Sequence, residues 1–181
     1  HLTHADIKDT RVRVEGFFCY RAALVGLGTG ALAAYARTQD HVVFHEIDPA
    51  VVTLAQDPAL FSYIHDARAR GAGVAPVILG DGRLTITQHP EASLDLVLID
   101  AFSSDAIPVH LLTLEAIDLY RSRLKPGGLL VLHICNQYLN LEPVVAAAGE
   151  ARGLTTLVRD DLSMTLADLR VGRSGSTWAL L

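Results

Sequence analysis

The sequence predicts an α/β fold with a doubly wound, mostly parallel sheet of seven strands. Short apolar runs alternate with stretches of helical periodicity along most of the chain, which is typical of β-α-β units. The chain has 181 residues, 50% of them apolar and 19% charged, enough for one domain with a sizeable core. Glycines and carboxylates follow several apolar runs, at the edge where parallel sheets bind ligands.

The first four strands are predicted from apolar runs that end in glycines or carboxylates. They cover residues 22–27, 41–47, 74–79 and 94–99. Between the first two, residues 31–37 form a short alanine-rich helix. Pro49 opens the next helix toward Ala55, because proline is favoured at a first helical position. The third run leads into a turn at Gly80-Asp81-Gly82.

The second half of the chain continues the alternation. Apolar spacing predicts a helix over residues 112–124, which a turn at 125–128 (Lys-Pro-Gly-Gly) ends before a fifth strand at 129–134. A last helix at 142–152 precedes strands at 155–158 and 177–181. Residues 1–20 are irregular, with one possible strand around Val12, Val14, Phe17 and Phe18. The predicted division is therefore an N-terminal segment, 1–20, and one ligand-binding domain, 21–181.

Composition excludes several classes of function. The formal net charge of −5 is not that of a general nucleic-acid binder, so no nucleic-acid partner is expected. No apolar run approaches the ~20 residues of a membrane helix, so no direct membrane insertion is expected. The two cysteines, Cys19 and Cys135, are too few for a disulfide framework. We expect a cytoplasmic domain and, since it starts at His1 without Met or signal peptide, a piece of a longer protein.

A glycine-rich loop, Gly26-Leu27-Gly28-Thr29-Gly30, joins the first strand to the first helix. Such glycines let the backbone approach a ligand closely, although they also serve tight strand-to-helix turns. Glu46 follows twenty residues after Gly26, at the end of the second strand. A carboxylate there can accept hydrogen bonds from both ribose hydroxyls of an adenosine; otherwise it is a solvated strand end or a cap with Asp48.

Two further carboxylate motifs follow the third and fourth strands. Asp81 lies between two glycines and can hold the amino edge of an adenine, or belong to an ordinary turn. Asp100 ends the fourth strand and Asp105 follows five residues later. Two carboxylates over one crevice can attract a cationic amine and take its proton. The alternative is that Asp105 caps the next turn and Asp100 only ends its strand.

These motifs resemble, in order and spacing, the class I S-adenosylmethionine-dependent transferases, and more narrowly the spermidine synthase (polyamine aminopropyltransferase) family. The resemblance covers roughly residues 22–154, and the run at 98–112 is similar to bacterial spermidine-synthase-like domains, some of them fused to membrane segments. The segments that carry it are HEIDPAVV (45–52), LGDGR (79–83), LIDAFSSDAIPVHLL (98–112) and LKPGGLLVLHI (124–134).

The resemblance implies a Rossmann-like fold with an antiparallel last strand, and decarboxylated S-adenosylmethionine or S-adenosylmethionine as co-substrate. Gly26, Gly28, Thr29 and Gly30 would line its methionine portion. Glu46 would bind the ribose, Ile47 would lie beside the adenine, and Asp81 with Gly82 would face the adenine edge. Asp100 would contact the donor and act as general base. Asp105 would help hold a small cationic amine substrate. A homodimer is one assembly consistent with the resemblance.

Three departures keep other functions open. The aminopropyltransferases carry an Asp in the glycine loop where this chain has Thr29, and a DxxD spacing where Asp100 and Asp105 are five apart. Their small N-terminal β domain has only residues 1–20 as a counterpart here. The first alternative is therefore a methyltransferase that uses intact S-adenosylmethionine. The second is a catalytically inactive module that binds a nucleoside or polyamine.

No metal site is predicted, although the chain has 8 histidines. His41 and His45 share one face of a strand, but no third ligand is evident. His133 is expected inside the apolar fifth strand. His110 is either a pocket residue or the start of a helix, and Cys135, Asn136 and Tyr138 lie near the crevice.

Overall fold

The computed structural model describes residues 20–102, 107–136, 139–161, 163, 165, 170 and 175–181. In that part, seven strands form one sheet in the order β3-β2-β1-β4-β5-β7-β6. The strands are β1 (Arg21–Val25), β2 (His41–Glu46), β3 (Ile78–Leu79), β4 (Leu94–Ile99), β5 (Leu124–His133), β6 (Leu157–Asp161) and β7 (Ser176–Leu180). The predicted fold class is confirmed.

The central strand β1 pairs in parallel with β2 on one side and β4 on the other. Val25 lies opposite His45 and Ile99, so the carboxyl ends of the three strands meet at one edge. The chain reverses its direction of winding between β1 and β4, and in open α/β sheets ligands bind at that point. β7 runs antiparallel to both β5 and β6, as the resemblance implied.

Helices cover both faces of the sheet. They are α1 (Pro49–Gln56), α2 (Tyr63–Ala69), α3 (Gly82–Thr85), α4 (Leu114–Arg123) and α5 (Glu142–Glu150), with 3-10 helices at Ala31–Tyr35, Ile86–Gln88 and Val109–Leu111. Alternate residues of β1 enter two separate cores: Ala23 and Val25 pack with α4, and Ala22 and Leu24 pack with α2. This two-sided burial explains why the strand is continuously apolar. No helix of the described part is long and apolar enough to cross a membrane.

Several predicted boundaries are wrong for local reasons. β1 ends at Val25, because Gly26 takes a φ of 100° and leaves the strand. The third strand contains only Ile78–Leu79, while Val74 makes a single bridge to Val42. Residues 31–37 were expected to form a helix, but only a 3-10 helix at Ala31–Tyr35 is present. Helix α2 was not predicted, since it buries only two residues and its apolar periodicity is weak.

The boundaries near the other edge of the sheet also differ. The expected turn at 125–128 lies within β5, where the pairing shifts from Leu94–Leu124 to Leu96–Leu129. Extra residues on one strand are accommodated as a bulge, which a turn signal in the sequence does not distinguish from a loop. The sixth strand covers Leu157–Asp161 rather than 155–158. The strand expected around Val12–Phe18 lies outside the described residues.

Candidate functional site

A cleft of about 840 Å³ lies at the carboxyl ends of β1, β2 and β4, with α3 on one side. Most of the predicted site residues line it together. They are Gly26, Gly28, Thr29, Glu46, Ile47, Asp81, Gly82 and Asp100. Gly30 is not among the lining residues, and Asp105 lies outside the described residues. The structure therefore brings the four predicted motifs to one place, while their role in binding stays a prediction.

The glycine loop leaves β1 at the floor of the cleft. Gly26 donates its N–H to the His45 carbonyl oxygen at 2.9 Å. A Cβ on Gly26 would lie 2.1 Å from the Asp100 carbonyl oxygen, so only glycine allows the loop to pass β4 this closely. Gly30, with a φ of 78°, precedes the 3-10 helix, and a Cβ there would meet Ile64 at 2.8 Å. Gly30 is thus needed for packing beneath the loop.

Glu46 holds the loop and the next turn together. Its Oε2 accepts a hydrogen bond from Leu27 N at 3.0 Å, and its Oε1 accepts from Ile47 N at 2.8 Å and Asp48 N at 3.0 Å. The N-terminal cap of α1 is Asp48, which accepts from Ala50 N at 2.7 Å. Asp48 is therefore the capping residue. The Glu46 carboxylate lines the cleft, and Oε2, which accepts one of these three hydrogen bonds, has a second lone pair for a hydroxyl donor.

Asp81 and Gly82 form another part of the wall of the cleft. Asp81 Oδ1 accepts from Arg83 N at 2.8 Å and so caps α3, while Oδ2 lies 3.4 Å from His110 Nε2. A Cβ on Gly82 would lie 2.2 Å from Val25 Cγ1, so glycine is required for α3 to pack against β1. His110 lines the cleft and is the middle residue of the 3-10 helix Val109–Leu111, so it does not start the helix that follows, which begins at Leu114.

A buried histidine pair connects β2 to this wall. His45 Nδ1 lies 2.8 Å from Thr85 Oγ1, and His45 Nε2 lies 3.0 Å from His89 Nε2. The Thr85 hydroxyl donates to the Asp81 carbonyl oxygen at 3.0 Å, so it accepts from His45. Burial, reinforced by the charge of His89, lowers the pKa of His45 to about 4. Burial also lowers the pKa of His89.

Elsewhere in the cleft, Asp100 meets a histidine that the apolar pattern of the sequence predicts inside a strand. His133 is the last residue of β5, and its Nδ1 lies 2.6 Å from Asp100 Oδ1. Ile99 and Leu132 are paired in the sheet. The residues that follow them, Asp100 and His133, therefore leave neighbouring strands side by side. The strand register would have revealed this pair.

A second cavity of about 670 Å³ adjoins the first at Phe102, which lines both. Its other lining residues come from the end of β5, the start of α5 and the β6–β7 pair. They are Ile134, Cys135, Asn136, Leu139, Asn140, Leu141, Glu142, Asp160 and Thr177. Cys135 Sγ accepts a hydrogen bond from Thr177 N at 2.9 Å. Tyr138, expected near the crevice, lies outside the described residues.

Among the described residues, no three metal-ligating side chains come together. His45 is instead fully engaged with Thr85 and His89, and His41 on the same strand face is exposed.

The strand order and the cleft define the class I S-adenosylmethionine-dependent methyltransferase fold. Human methyltransferase-like protein 13, solved in complex with SAH, matches with a TM-score of 0.67 at 19% identity, over 90% of this chain and 71% of that one. A probable spermidine synthase from Corynebacterium glutamicum ATCC 13032 matches with a TM-score of 0.63 at 20% identity, over 89% of this chain and 55% of that one.

In sequence, the chain is similar more narrowly to a polyamine aminopropyltransferase from Vibrio vulnificus (strain CMCP6). The two are 31% identical over 116 residues, which are 61% of this chain and 36% of the relative. The chain thus spans about a third of the length of the curated relative that it matches. No family model matches the chain.

Proposed function

We propose that this chain transfers an aminopropyl group from decarboxylated S-adenosylmethionine to a small amine such as a diamine. The observation that carries the proposal is the position of Asp100, which lines the first cleft beside Phe102, where a second cavity adjoins it. A carboxylate at such a junction can take the proton of an amine that attacks a donor held in the first cleft. The similarity to a polyamine aminopropyltransferase supports the same reaction.

The first cleft fits an adenosyl donor in size and chemistry. Its volume of about 840 Å³ is within the usual range for ligand pockets, roughly 300–1,000 Å³. Gly26 and Gly28 line the cleft without side chains of their own, and Glu46 supplies carboxylate oxygens for a ribose. Ile47 exposes 67% of its surface and offers an apolar contact for an adenine ring. Asp81 and Gly82 would face the edge of that ring.

The proposed reaction is an in-line displacement. The amine nitrogen attacks the aminopropyl carbon that is bonded to the sulfonium, and the carbon–sulfur bond breaks with its electron pair going to sulfur. The products are the extended amine and 5′-methylthioadenosine. The amine proton passes to Asp100. Because the sulfonium is a good leaving group, positioning the amine and removing its proton are the main tasks of the protein.

The second cavity supports a cationic acceptor. Its wall combines the carboxylates of Glu142 and Asp160 with the amides of Asn136 and Asn140. Phe102, at the boundary, can face a cationic amine with its ring. We infer that the acceptor approaches Asp100 from this side, and that Asp105 helps to hold it.

The role of Asp100 is tested by Asp100→Asn. We expect turnover to fall by about 100-fold or more, the usual contribution of a general base, while donor affinity changes little. Asp95→Asn is the matched control. Asp95 lies near the start of β4, at the end opposite to Asp100, and accepts hydrogen bonds from Arg21 N and Lys125 Nζ. Equal turnover in wild type and Asp100→Asn would contradict the assignment.

The donor is tested by calorimetry with decarboxylated and intact S-adenosylmethionine on the same protein. Aminopropyl transfer requires tighter binding of the decarboxylated donor and release of 5′-methylthioadenosine with a diamine. Thr29→Asp is an informative companion variant, because a carboxylate in the loop attracts the donor amine and repels a donor carboxylate. It should therefore shift the preference further toward the decarboxylated donor.

The second candidate is methyl transfer from intact S-adenosylmethionine. The observation that favours it is Thr29, a neutral side chain that lines the cleft where the aminopropyltransferases carry an acidic one. Preference for the intact donor, with methylation of an amine, would select this function. If the protein binds decarboxylated or intact S-adenosylmethionine but shows no turnover with any amine of a panel, the chain is instead a non-catalytic binding module.

A further inference from the structure

The contact between Asp100 and His133 is built by the sheet itself. β4 and β5 are parallel, with Ile99 opposite Leu132. Asp100 comes directly after β4 and His133 is the last residue of β5, and the two side chains meet at 2.6 Å between Oδ1 and Nδ1. The backbone of Asp100 is also held by its N–H, which donates to the Val25 carbonyl oxygen at 2.8 Å. The strand register therefore brings the two residues of this hydrogen bond side by side.

The imidazole ring of His133 is held on two sides. Trp178 is its cross-strand partner on β7, and the two rings stack with centroids 4.3 Å apart and planes 11° apart. Phe102 meets the ring edge-on, with centroids 4.7 Å apart and an interplanar angle of 71°. A ring confined in this way keeps its orientation, so Nδ1 stays directed at Asp100.

The surroundings of His133 also select its tautomer. Nδ1 faces a carboxylate oxygen, which accepts a hydrogen bond. Nε2 is buried and has no hydrogen-bond partner among the described residues. A proton on Nε2 would leave a buried donor without an acceptor, and that arrangement is costly. The proton therefore belongs on Nδ1, from where it is donated to Asp100.

We propose that His133 is a positioning residue for Asp100. Its Nδ1–H holds Oδ1 of the carboxylate, so that Oδ2 is presented to the amine in the cleft. The amine proton goes to Oδ2, while the His133 proton remains on Nδ1 throughout. His133 does not take the substrate proton, because Nε2 is buried away from the cleft. This inference rests on the proposed function, in which Asp100 is the base.

Two substitutions separate the hydrogen bond from the packing. His133→Phe keeps an aromatic ring against Trp178 and removes the donor. His133→Asn removes the ring but places an amide N–H near the position of Nδ1. We expect His133→Phe to lower kcat by about 10- to 100-fold, as a misplaced catalytic group does, with little change in amine KM or donor affinity. His133→Asn should retain most of kcat. Equal losses in the two variants, or full turnover in His133→Phe, would overturn the proposal.

A spectroscopic measurement is independent of turnover. In ¹⁵N NMR spectra of the wild-type protein, we expect His133 Nδ1 to be protonated and Nε2 to be unprotonated, with the Nδ1 signal shifting in Asp100→Asn. A proton on Nε2 would overturn the proposal even in an active enzyme. Wild-type protein that shows the Nδ1–H signal but transfers no aminopropyl group would instead contradict the proposed function, and leave the Asp100–His133 bond established.

Discussion

Position 26 imposes two requirements that only a glycine meets. Its φ of 100° lies in a region that L side chains rarely adopt. A Cβ there would also lie 2.1 Å from the Asp100 carbonyl oxygen and 2.6 Å from the Asp100 carbonyl carbon. The loop passes the end of β4 at backbone contact distance, so any substitution has to displace a central strand.

We therefore expect Gly26→Ala to destabilise the protein by about 3 kcal/mol or more, from backbone strain and overpacking together. Gly28→Ala is the matched control. Gly28 has a φ of 51°, but no described residue lies within 4 Å of its Cβ position. It should lose only about 1–2 kcal/mol, the cost of a left-handed residue with a side chain. Urea unfolding measures the stability of both variants. Equal losses of stability would show that the contact with the Asp100 backbone does not add to the cost of a side chain at position 26.

At this scale, the sequence predicts most of the residues that meet at the cleft. Glu46, Asp81 and Asp100 each follow an apolar strand, and parallel strand ends converge at one edge. His133 is not predicted as a site residue, because the apolar run around it indicates the interior of a strand. Only the β4–β5 register places its ring next to Asp100. Similarly, the histidine pair of His45 and His89 depends on packing between distant segments, which spacing along the chain does not reveal.

Among the elements, β2, α3 and the helix Ile86–Gln88 are tied together by buried polar side chains. His45 on β2 bonds Thr85 of α3 and His89, which follows that helix. Thr85 in turn donates to the backbone of Asp81, on the wall of the cleft. The unfolded chain binds a proton at His45 near pH 6.5, whereas the folded chain does so only near pH 4. Between these two pH values, the chain therefore has to release the proton of His45 in order to fold.

As a consequence, the free energy of unfolding decreases as the pH is lowered through a defined range. Because the folded-state pKa is lowered, the contribution of His45 is fully present above about pH 6.5 and is lost as the pH falls to about 4. A shift of this size corresponds to about 3 kcal/mol. We expect the urea midpoint of the wild type to fall across this range, and that of His45→Gln to change much less. Urea midpoints that fall equally with decreasing pH in the wild type and in His45→Gln would contradict this prediction.

The elements that the sequence predicts well are those buried on both sides. β4 matches its predicted bounds, since each of its apolar residues packs into one of two cores. β3 lies at the edge of the sheet and pairs only with β2. Of the six residues in the apolar run at 74–79, only Ile78 and Leu79 therefore form the strand. In β5, the Lys-Pro-Gly-Gly segment forms a bulge, because strand pairing with β4 continues on both sides of it.

For the whole molecule, the cleft is built from both halves of the sheet. The glycine loop and Glu46 belong to the β1–β2 side, whereas Asp100 belongs to β4. A ligand that spans the cleft therefore links segments that are far apart in sequence. Any ligand that binds only the folded state stabilises it by about 2.7 kcal/mol at roughly 100 times its Kd.

We expect 5′-methylthioadenosine to raise the unfolding free energy by that amount and to slow hydrogen exchange in four separate segments. These are residues 26–30, 46–48, 80–83 and 100–102, which lie at the carboxyl ends of β1, β2, β3 and β4. The β6–β7 pair should exchange unchanged, because its described residues line the second cavity and not the first. Uridine is the matched control, since it has a ribose but no adenine for Ile47 and Asp81. Protection confined to one side of the β1–β4 boundary would mean that the cleft does not act as one site.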